Sequence, residues 1–305
     1  MPIVVIGSVF LDIKGFPSEA LNASGRNPGT VMQVHGGVAR NVAENLGNLG
    51  MRPIFFGLTD DSAFGTEIVD HLSACGVDTS YMQKTRDGMG IWLAVFNENG
   101  DVFTSISKRP DLLPIGRIVR EEGMRALRSA SAILLELDLE EDTLDPVLET
   151  AKKEKIPVYA CVSQMRIAAQ RKKQLPEVDC LVCNLQEAEM LFREKWREPE
   201  PEQVSVCLAN AAKAAQIRGM IVTMGEKGAV FYHQNGEVGY VPAEEALVRD
   251  TTGAGDAFFS GVAAALSVGH DMRSACRIGT RMASACLNST ENVCTGLLAA
   301  DLGLV

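Results

Sequence analysis

Short apolar runs alternate with longer stretches in which apolar positions recur every three or four residues. Ile3 to Ile6 is a β-branched run ending at Gly7 and predicts a buried strand. Val42, Leu46 and Leu49 share one face of a helix that opens after Gly36-Gly37 and stops at Gly50. Pro53 to Leu58 predicts the next strand and Ala63 to Ala74 the next helix. Beyond Pro110, helices over 115–129, 141–154, 185–194 and 202–217 alternate with strands over 132–137, 157–161, 180–183 and 220–224. This alternation predicts an α/β fold with a mostly parallel sheet and helices on both faces. Strands over 220–224, 229–233 and 237–241 follow in quick succession, the last two joined by Asn235-Gly236, which predicts an antiparallel edge. Helices over 254–267 and 271–287 close the domain.

Two segments break the rhythm. Residues 13–35 hold Gly15, Pro17, Gly25, Pro28 and Gly29, too much punctuation for a helix, with a strand over 31–34 leading into Gly36-Gly37. Residues 90–96 and 102–106 are β-rich runs separated by Asn97-Glu98-Asn99-Gly100, a hairpin signal. Together with the segments around 9–14 and 31–35 they predict a small β lid. The domain division is therefore 1–8, 36–89 and 108–305 for the α/β body, and 9–35 with 90–107 for the lid. Glu198 to Glu202 reads as an acidic surface loop. No internal repeat, low-complexity stretch or long linker interrupts the chain.

Composition narrows the function. A chain of 305 residues holds one large α/β domain or two small ones. The net charge of −10 argues against nonspecific nucleic-acid binding, which rests on Lys and Arg neutralising phosphates. A small anionic guest is still allowed, because backbone N–H groups hold anions without net positive charge. Residues 1–6 lack the basic start and length of a signal segment, and the apolar runs fall short of a membrane span. The eight cysteines sit mostly in apolar segments and read as reduced thiols of a cytoplasmic protein. Cys180-Leu181-Val182-Cys183 has no second pair and no nearby histidines, so strand alternation explains it better than zinc.

The chemistry concentrates in Asp250-Thr251-Thr252-Gly253-Ala254-Gly255-Asp256-Ala257, followed by an apolar run to Leu266. This is a phosphate-sized backbone loop opening a helix, with one carboxylate at its mouth. Free N–H groups and the helix dipole favour an anion there. A carboxylate is a poor phosphate holder and a good acceptor of an alcohol's proton, so the loop points to phosphoryl transfer from a nucleotide to a hydroxyl, with Asp256 as base. A second glycine motif, Gly36-Gly37-Val38-Ala39-Arg40-Asn41, also opens a helix and suggests a second polar guest. There is no Gly-x4-Gly-Lys-Ser/Thr, no His-Arg-Asp or Asp-Phe-Gly, and no Gly-x-Gly-x-x-Gly after the first strand.

Gly36-Gly37 with Asn41, together with Asp250 through Asp256, resembles the two signature motifs of the ribokinase-like (PfkB) carbohydrate and nucleoside kinases. The resemblance spans essentially the whole chain and implies a three-layer sandwich with a mostly parallel central sheet and a β-sheet lid. Asn27-Pro28-Gly29 ahead of Gly36 to Leu46 is most similar to pseudouridine kinases. The resemblance implies that Asp256 is the base and that the N–H groups of Gly253, Ala254 and Gly255 form the anion hole. It implies that Asp12, Gly36, Gly37 and Asn41 bind the sugar. Asn184-Leu185-Gln186-Glu187 resembles the family's Asn-x-x-Glu element, in which Asn184 and Glu187 order Mg2+ and its waters. Thr223-Met224-Gly225-Glu226-Lys227-Gly228 resembles its nucleotide loop, placing Thr223, Gly225 and Gly228 at ATP, with adenine between this loop and Leu287-Asn288. Asp250 and Thr252 resemble ligands of a monovalent cation, K+.

The chain departs from the pattern after strand 157–161, where Tyr159-Ala160-Cys161-Val162-Ser163 lacks the usual aspartate-proline pair. Asp138 is a further candidate for the sugar side, and His35 is read as structural rather than substrate-binding. The expectation is an ATP-dependent kinase acting on a primary hydroxyl of a sugar or nucleoside, pseudouridine first. The alternatives are a ribokinase, fructokinase or adenosine kinase, or an idle binding regulator on the same fold. An exposed lid edge also predicts a homodimer.

Overall fold

In a computed structural model, the structure describes residues 1–98, 100, 102–196, 200–248, 250–289 and 291–304. Asn99 of the expected hairpin tip and the Glu198 end of the acidic loop lie outside them.

The chain runs β1 (Ile3–Ile6), β2 (Phe10–Pro17), β3 (Gly29–Gly36), α1 (Val38–Asn48), β4 (Ile54–Thr59), α2 (Ala63–Ala74), β5 (Asp78–Lys84), β6 (Gly90–Phe96) and β7 (Val102–Lys108). There follow α3 (Leu113–Ile118), a π-helical turn (Val119–Gly123), α4 (Met124–Arg128), β8 (Ala132–Glu136), α5 (Glu141–Glu154), β9 (Val158–Cys161), α6 (Met165–Ala168), β10 (Cys180–Asn184), α7 (Leu185–Phe192) and α8 (Pro201–Ala214). β11 (Gly219–Thr223), β12 (Ala229–His233), β13 (Val238–Val241), α9 (Ala254–Ser267) and α10 (Met272–Leu287) complete it.

Nine strands form the body sheet in the order β13-β12-β11-β10-β9-β8-β1-β4-β5. Pairing is parallel from β11 to β5, and β12 and β13 add the expected antiparallel edge. Because β1 is buried on both faces, its residues split between two cores. Ile3 and Val5 pack with α1, α2, α9 and α10, while Val4 and Ile6 pack with α3, α4, α5 and α8. The result is a ribokinase-like sandwich of three layers.

β3-β2-β6-β7 form the lid sheet. β2 pairs antiparallel with β3 and parallel with β6, and β7 closes the hairpin with β6. Burial alternates along β2, so Phe10, Asp12 and Lys14 face the body. Trp92 stands beside Asp12 in the β2–β6 register and shares its face.

Two elements differ from expectation. The helix expected over 115–129 is broken by the π turn. At regular spacing Glu122 would fall three residues after buried Val119, on the inner face. The wider turn leaves Glu121 and Glu122 exposed and brings Gly123, Ala126 and Leu127 inward. β5 carries no readable alternation, because Asp-Thr-Ser-Tyr-Met-Gln-Lys is an edge strand whose outer side meets solvent.

Candidate active site

The site lies beyond the carboxyl ends of β1, β8, β10 and β11, where an open parallel sheet leaves a crevice. The lid contributes Asp12, which is buried, and Gly36 touches it. A Cβ on Gly36 would overlap the Asp12 carboxyl, so only glycine lets the helix-opening loop come this close. Asp12 Oδ2 accepts from Asn292 Nδ2 at 2.9 Å. Oδ1 has no partner among the described residues. Burial raises Asp12 to about 6, against the pull of Lys14, Arg40 and Asn292.

Asn41 lies in the first turn of α1, which starts after Gly37 without a side-chain cap. Its Nδ2 donates to Asp256 Oδ2 at 2.6 Å. Buried Arg40 donates to Asn41 Oδ1, to the carbonyls of Gly36 and His35, and to Glu44. The guanidinium thereby fixes which end of the Asn41 amide faces Asp256. Asp256 sits in the first turn of α9, partly open to the crevice. Desolvation raises its pKa to about 7, opposed by Asn41 and Arg40 and reinforced by the charges of Asp12 and Glu187. A carboxyl held near neutrality is suited to taking a proton.

Gly253 caps α9 in the left-handed region at φ 81°. A Cβ there would collide with the Asn292 carbonyl. The N–H groups of Gly253 and Gly255 have no hydrogen-bond partner among the described residues, and that of Ala254 makes only a 3.5 Å contact to Thr251 O. These donors stand at a helix N-terminus beside Asp256. A cleft of about 630 Å³ opens onto them, lined by Thr251, Ala254 and Gly255 at one end. Thr223, Gly225 and Gly228 line it from the β11 side, and Ser284 and Leu287 from α10. Asn288 does not line this cleft. Its Oδ1 accepts from Leu247 N at 2.8 Å and braces the loop that does.

Asn184 and Glu187 form a reciprocal capping box at the start of α7, with Glu187 N to Asn184 Oδ1 at 2.9 Å and Asn184 N to Glu187 Oε2 at 2.8 Å. Glu187 Oε1 has no such partner among the described residues. Burial raises Glu187, and the charge of Asp138 adds to it. Asp138 accepts from Ser163 N at 2.9 Å, so the position lacking the usual acid still bonds to one by its backbone. Glu136 is buried and raised by desolvation and by Asp138, and its Oε1 takes Ser8 N, Ser8 Oγ and Ala39 N. Among the described residues no three of these carboxylates bring ligand atoms together at one point, so a hard cation here would be held mainly through water.

Asp250 and Thr252, expected at a monovalent cation, bond to each other and to Lys14. Asp250 Oδ1 takes both the N–H and the hydroxyl of Thr252, at 2.8 and 2.7 Å, and Oδ2 takes Lys14 Nζ at 2.6 Å. Burial works to raise Asp250, but Lys14 and Thr252 outweigh it and hold the carboxyl below its ordinary value. The His35 ring packs against Phe64 and His71, at 5.2 Å each, with Nε2 3.5 Å from Glu67 Oε1. Its carbonyl, not its ring, serves the site, accepting from Arg40 and Asn292. All eight cysteines are free, and Cys180 and Cys183 are buried in β10.

Arg40, Lys14 and Asn292 were not read from sequence. Lys14 had a signal, being two residues from Asp12 and so on the same face of one strand. Arg40 precedes Asn41 on a helix buried almost all round. Asn292 had none, because it lies in an irregular segment after α10.

A three-layer α/β fold with a glycine-opened helix, unpaired N–H groups and a near-neutral carboxyl at its mouth is an arrangement suited to phosphoryl transfer to an alcohol. The chain belongs to the pfkB family of carbohydrate kinases, whose family model matches residues 2–293. It is 32% identical over 292 residues to a guanosine-inosine kinase of Exiguobacterium acetylicum, covering 95% of each chain. It is 23% identical over 274 residues to a pseudouridine kinase of Escherichia coli K12, covering 86% of this chain and 82% of the other. Its fold matches Arabidopsis thaliana ribokinase complexed with ribose and ATP, with a TM-score of 0.80, 23% identity and 96% of each chain covered. The protein is a carbohydrate or nucleoside kinase of this family.

Proposed function

We propose that the kinase transfers the γ-phosphoryl of ATP to the 5′-hydroxyl of a ribonucleoside. The observation that carries this is Asp256, raised to about 7 and held by Asn41 beside the free N–H groups opening α9. In this reading Asp12 holds sugar hydroxyls with its open oxygen, and Gly36, Gly37 and Asn41 form the opposite wall. Asp256 takes the 5′ proton, while Gly253, Ala254 and Gly255 neutralise charge building on the moving phosphoryl. Thr223, Gly225 and Gly228 line the ATP cleft, and the lid excludes water. Glu187, with Asn184, would hold Mg2+ through water; bound there, the ion supplies charge neutralisation at the phosphates.

A nucleoside is favoured over a free sugar by Trp92, which presents an aromatic surface next to the sugar acid, where a base can stack. The 32% relative is named a guanosine-inosine kinase, which supports a purine nucleoside as first choice. Pseudouridine is the second reading, carried by the motif around Gly36 and by the 23% relative. The outer lid face leaves Val31, Leu93 and Ile106 exposed, which supports a homodimer formed lid to lid. Among the described residues no helix is long and apolar enough to cross a membrane. Eight free thiols suit the reducing cytoplasm.

The test is ADP release with guanosine, inosine, pseudouridine, uridine, adenosine, ribose and fructose. The expected result is the highest kcat/KM on guanosine or inosine. Preference for ribose or fructose over every nucleoside would overturn the reading.

A further inference from the structure

We propose that the Lys14 ammonium is a built-in cation for the loop that opens α9, taking the place of a free monovalent ion and making turnover independent of K+. The inference rests on the kinase class and not on the identity of the acceptor.

Lys14 is 1% exposed. A buried ammonium persists only when paired and hydrogen-bonded. Its acceptors are Asp250 Oδ2 at 2.6 Å and Asn292 Oδ1 at 2.9 Å. Both partners grip the phosphate-side loop. Asp250 folds that loop by taking the N–H and hydroxyl of Thr252, and the Asn292 backbone packs against Gly253 so closely that no side chain fits. Asn292 then reaches back through Nδ2 to Asp12 Oδ2 and the His35 carbonyl, at 2.9 Å each. One ammonium therefore joins the lid strand that carries the sugar acid to the loop that presents the anion-binding N–H groups.

Charge gives the arrangement a purpose. Left alone, the Asp250 carboxylate would repel a polyphosphate arriving at Gly253 to Gly255. A positive charge in contact with it cancels that repulsion and fixes the loop. The expected carboxylate ligand of K+ is already engaged: Asp250 Oδ2 takes the Lys14 ammonium, and Oδ1 takes the N–H and hydroxyl of Thr252. Removal of the ammonium by mutation would leave a cavity bordered by a carboxylate and an amide oxygen, a donor set that accepts a small monovalent cation.

The test measures ADP release at constant ionic strength in chlorides of K+, NH4+, Na+ and tetramethylammonium, using the best acceptor of the nucleoside panel. Wild type is expected to vary by no more than about twofold among them. Lys14→Ala is expected to lose about 100-fold in tetramethylammonium, as misplacement of a catalytic loop costs, and to regain at least about tenfold with saturating K+ or NH4+. The double variant Lys14→Met/Asp250→Asn, which has no carboxylate to hold an ion, is expected to show no rescue. A wild type stimulated more than about tenfold by K+ overturns the proposal, as does a folded, ATP-binding Lys14→Ala that no cation restores. Should Lys14→Ala fail to fold, the wild-type cation profile decides alone. Absence of ADP from every nucleoside, with activity on a sugar, would sink the acceptor reading and leave this test intact.

Discussion

Asn41 donates its side-chain amide to Asp256 Oδ2 at 2.6 Å, and Arg40 holds the other end of that amide by its oxygen. The direction of the amide is thus set by a buried cation, and only Nδ2 can face the carboxyl. One Asp256 oxygen is tied, and the other has no hydrogen-bond partner among the described residues. The neighbour of Asn41 in sequence aims the residue that holds the proposed base.

Asp256→Asn keeps the shape of the site and removes the proton acceptor. Turnover is expected to fall by about 10²–10⁴, the range ascribed to general base catalysis. ATP affinity by calorimetry should stay within about threefold of wild type. Turnover within tenfold of wild type would remove Asp256 from its role.

The same variant is expected to be more stable than wild type at alkaline pH. Folding raises the Asp256 carboxyl from an ordinary 3.8 to about 7, so the folded state binds the proton more tightly than the unfolded chain. Stability from this group is present at low pH and is lost as pH rises through about 7. The melting temperature of Asp256→Asn should exceed that of wild type most at about pH 8 and approach it near pH 4. Equal melting temperatures across the range would show that the carboxyl is not desolvated.

The body was legible because βα units bury one residue set per period, and β1, β4 and β8 through β12 carry that signal. The lid was legible from the hairpin runs at 90–96 and 102–106. β5 was not, since an edge strand buries too little to impose alternation. In the site, glycine and aspartate motifs could be read because backbone geometry allows few other residues there. Lys14 and Asn292 act on partners 236 and 280 positions away, which no local pattern encodes, while Arg40 bonds to its own neighbours and reaches Asp256 only through Asn41, 215 positions from it.

Arg40 and Glu44 form a buried pair whose side chains are 2% and 6% exposed. Arg40→Met leaves Glu44 with His71, at 2.7 Å, as its one side-chain partner among the described residues. Urea denaturation is expected to show a loss of about 3–5 kcal/mol, the cost of breaking a buried pair from one side. Arg40→Met/Glu44→Leu, which removes both charges, should recover most of that stability while remaining slow, because the Asn41 amide is no longer oriented. A double variant with wild-type turnover would show that Arg40 serves packing alone.

Trp92 stands beside Asp12 on the inner lid face. If a nucleobase rests on its ring, Trp92→Ala removes stacking worth about 1–3 kcal/mol. The loss should appear as a raised KM for the nucleoside with kcat and the KM for ATP little changed. An equal rise in KM for free ribose would assign the ring to the sugar or to lid packing.

The pH dependence of kcat/KM should show an acid limb centred near the Asp256 value of about 7, because only the deprotonated base accepts the hydroxyl proton. Below about 6, where Asp12 also protonates and weakens its hold on the sugar, the slope should steepen from one toward two. The hydrogen bond from Asn41 favours the charged carboxylate and lowers its pKa against the larger effect of burial. Asn41→Ala removes that donor, so the first limb should move to higher pH. At alkaline pH the variant then recovers part of the activity it lacks at neutrality. A profile displaced to lower pH, or an Asn41→Ala deficit that is the same at all pH values, would mean that Asn41 binds sugar without tuning the base.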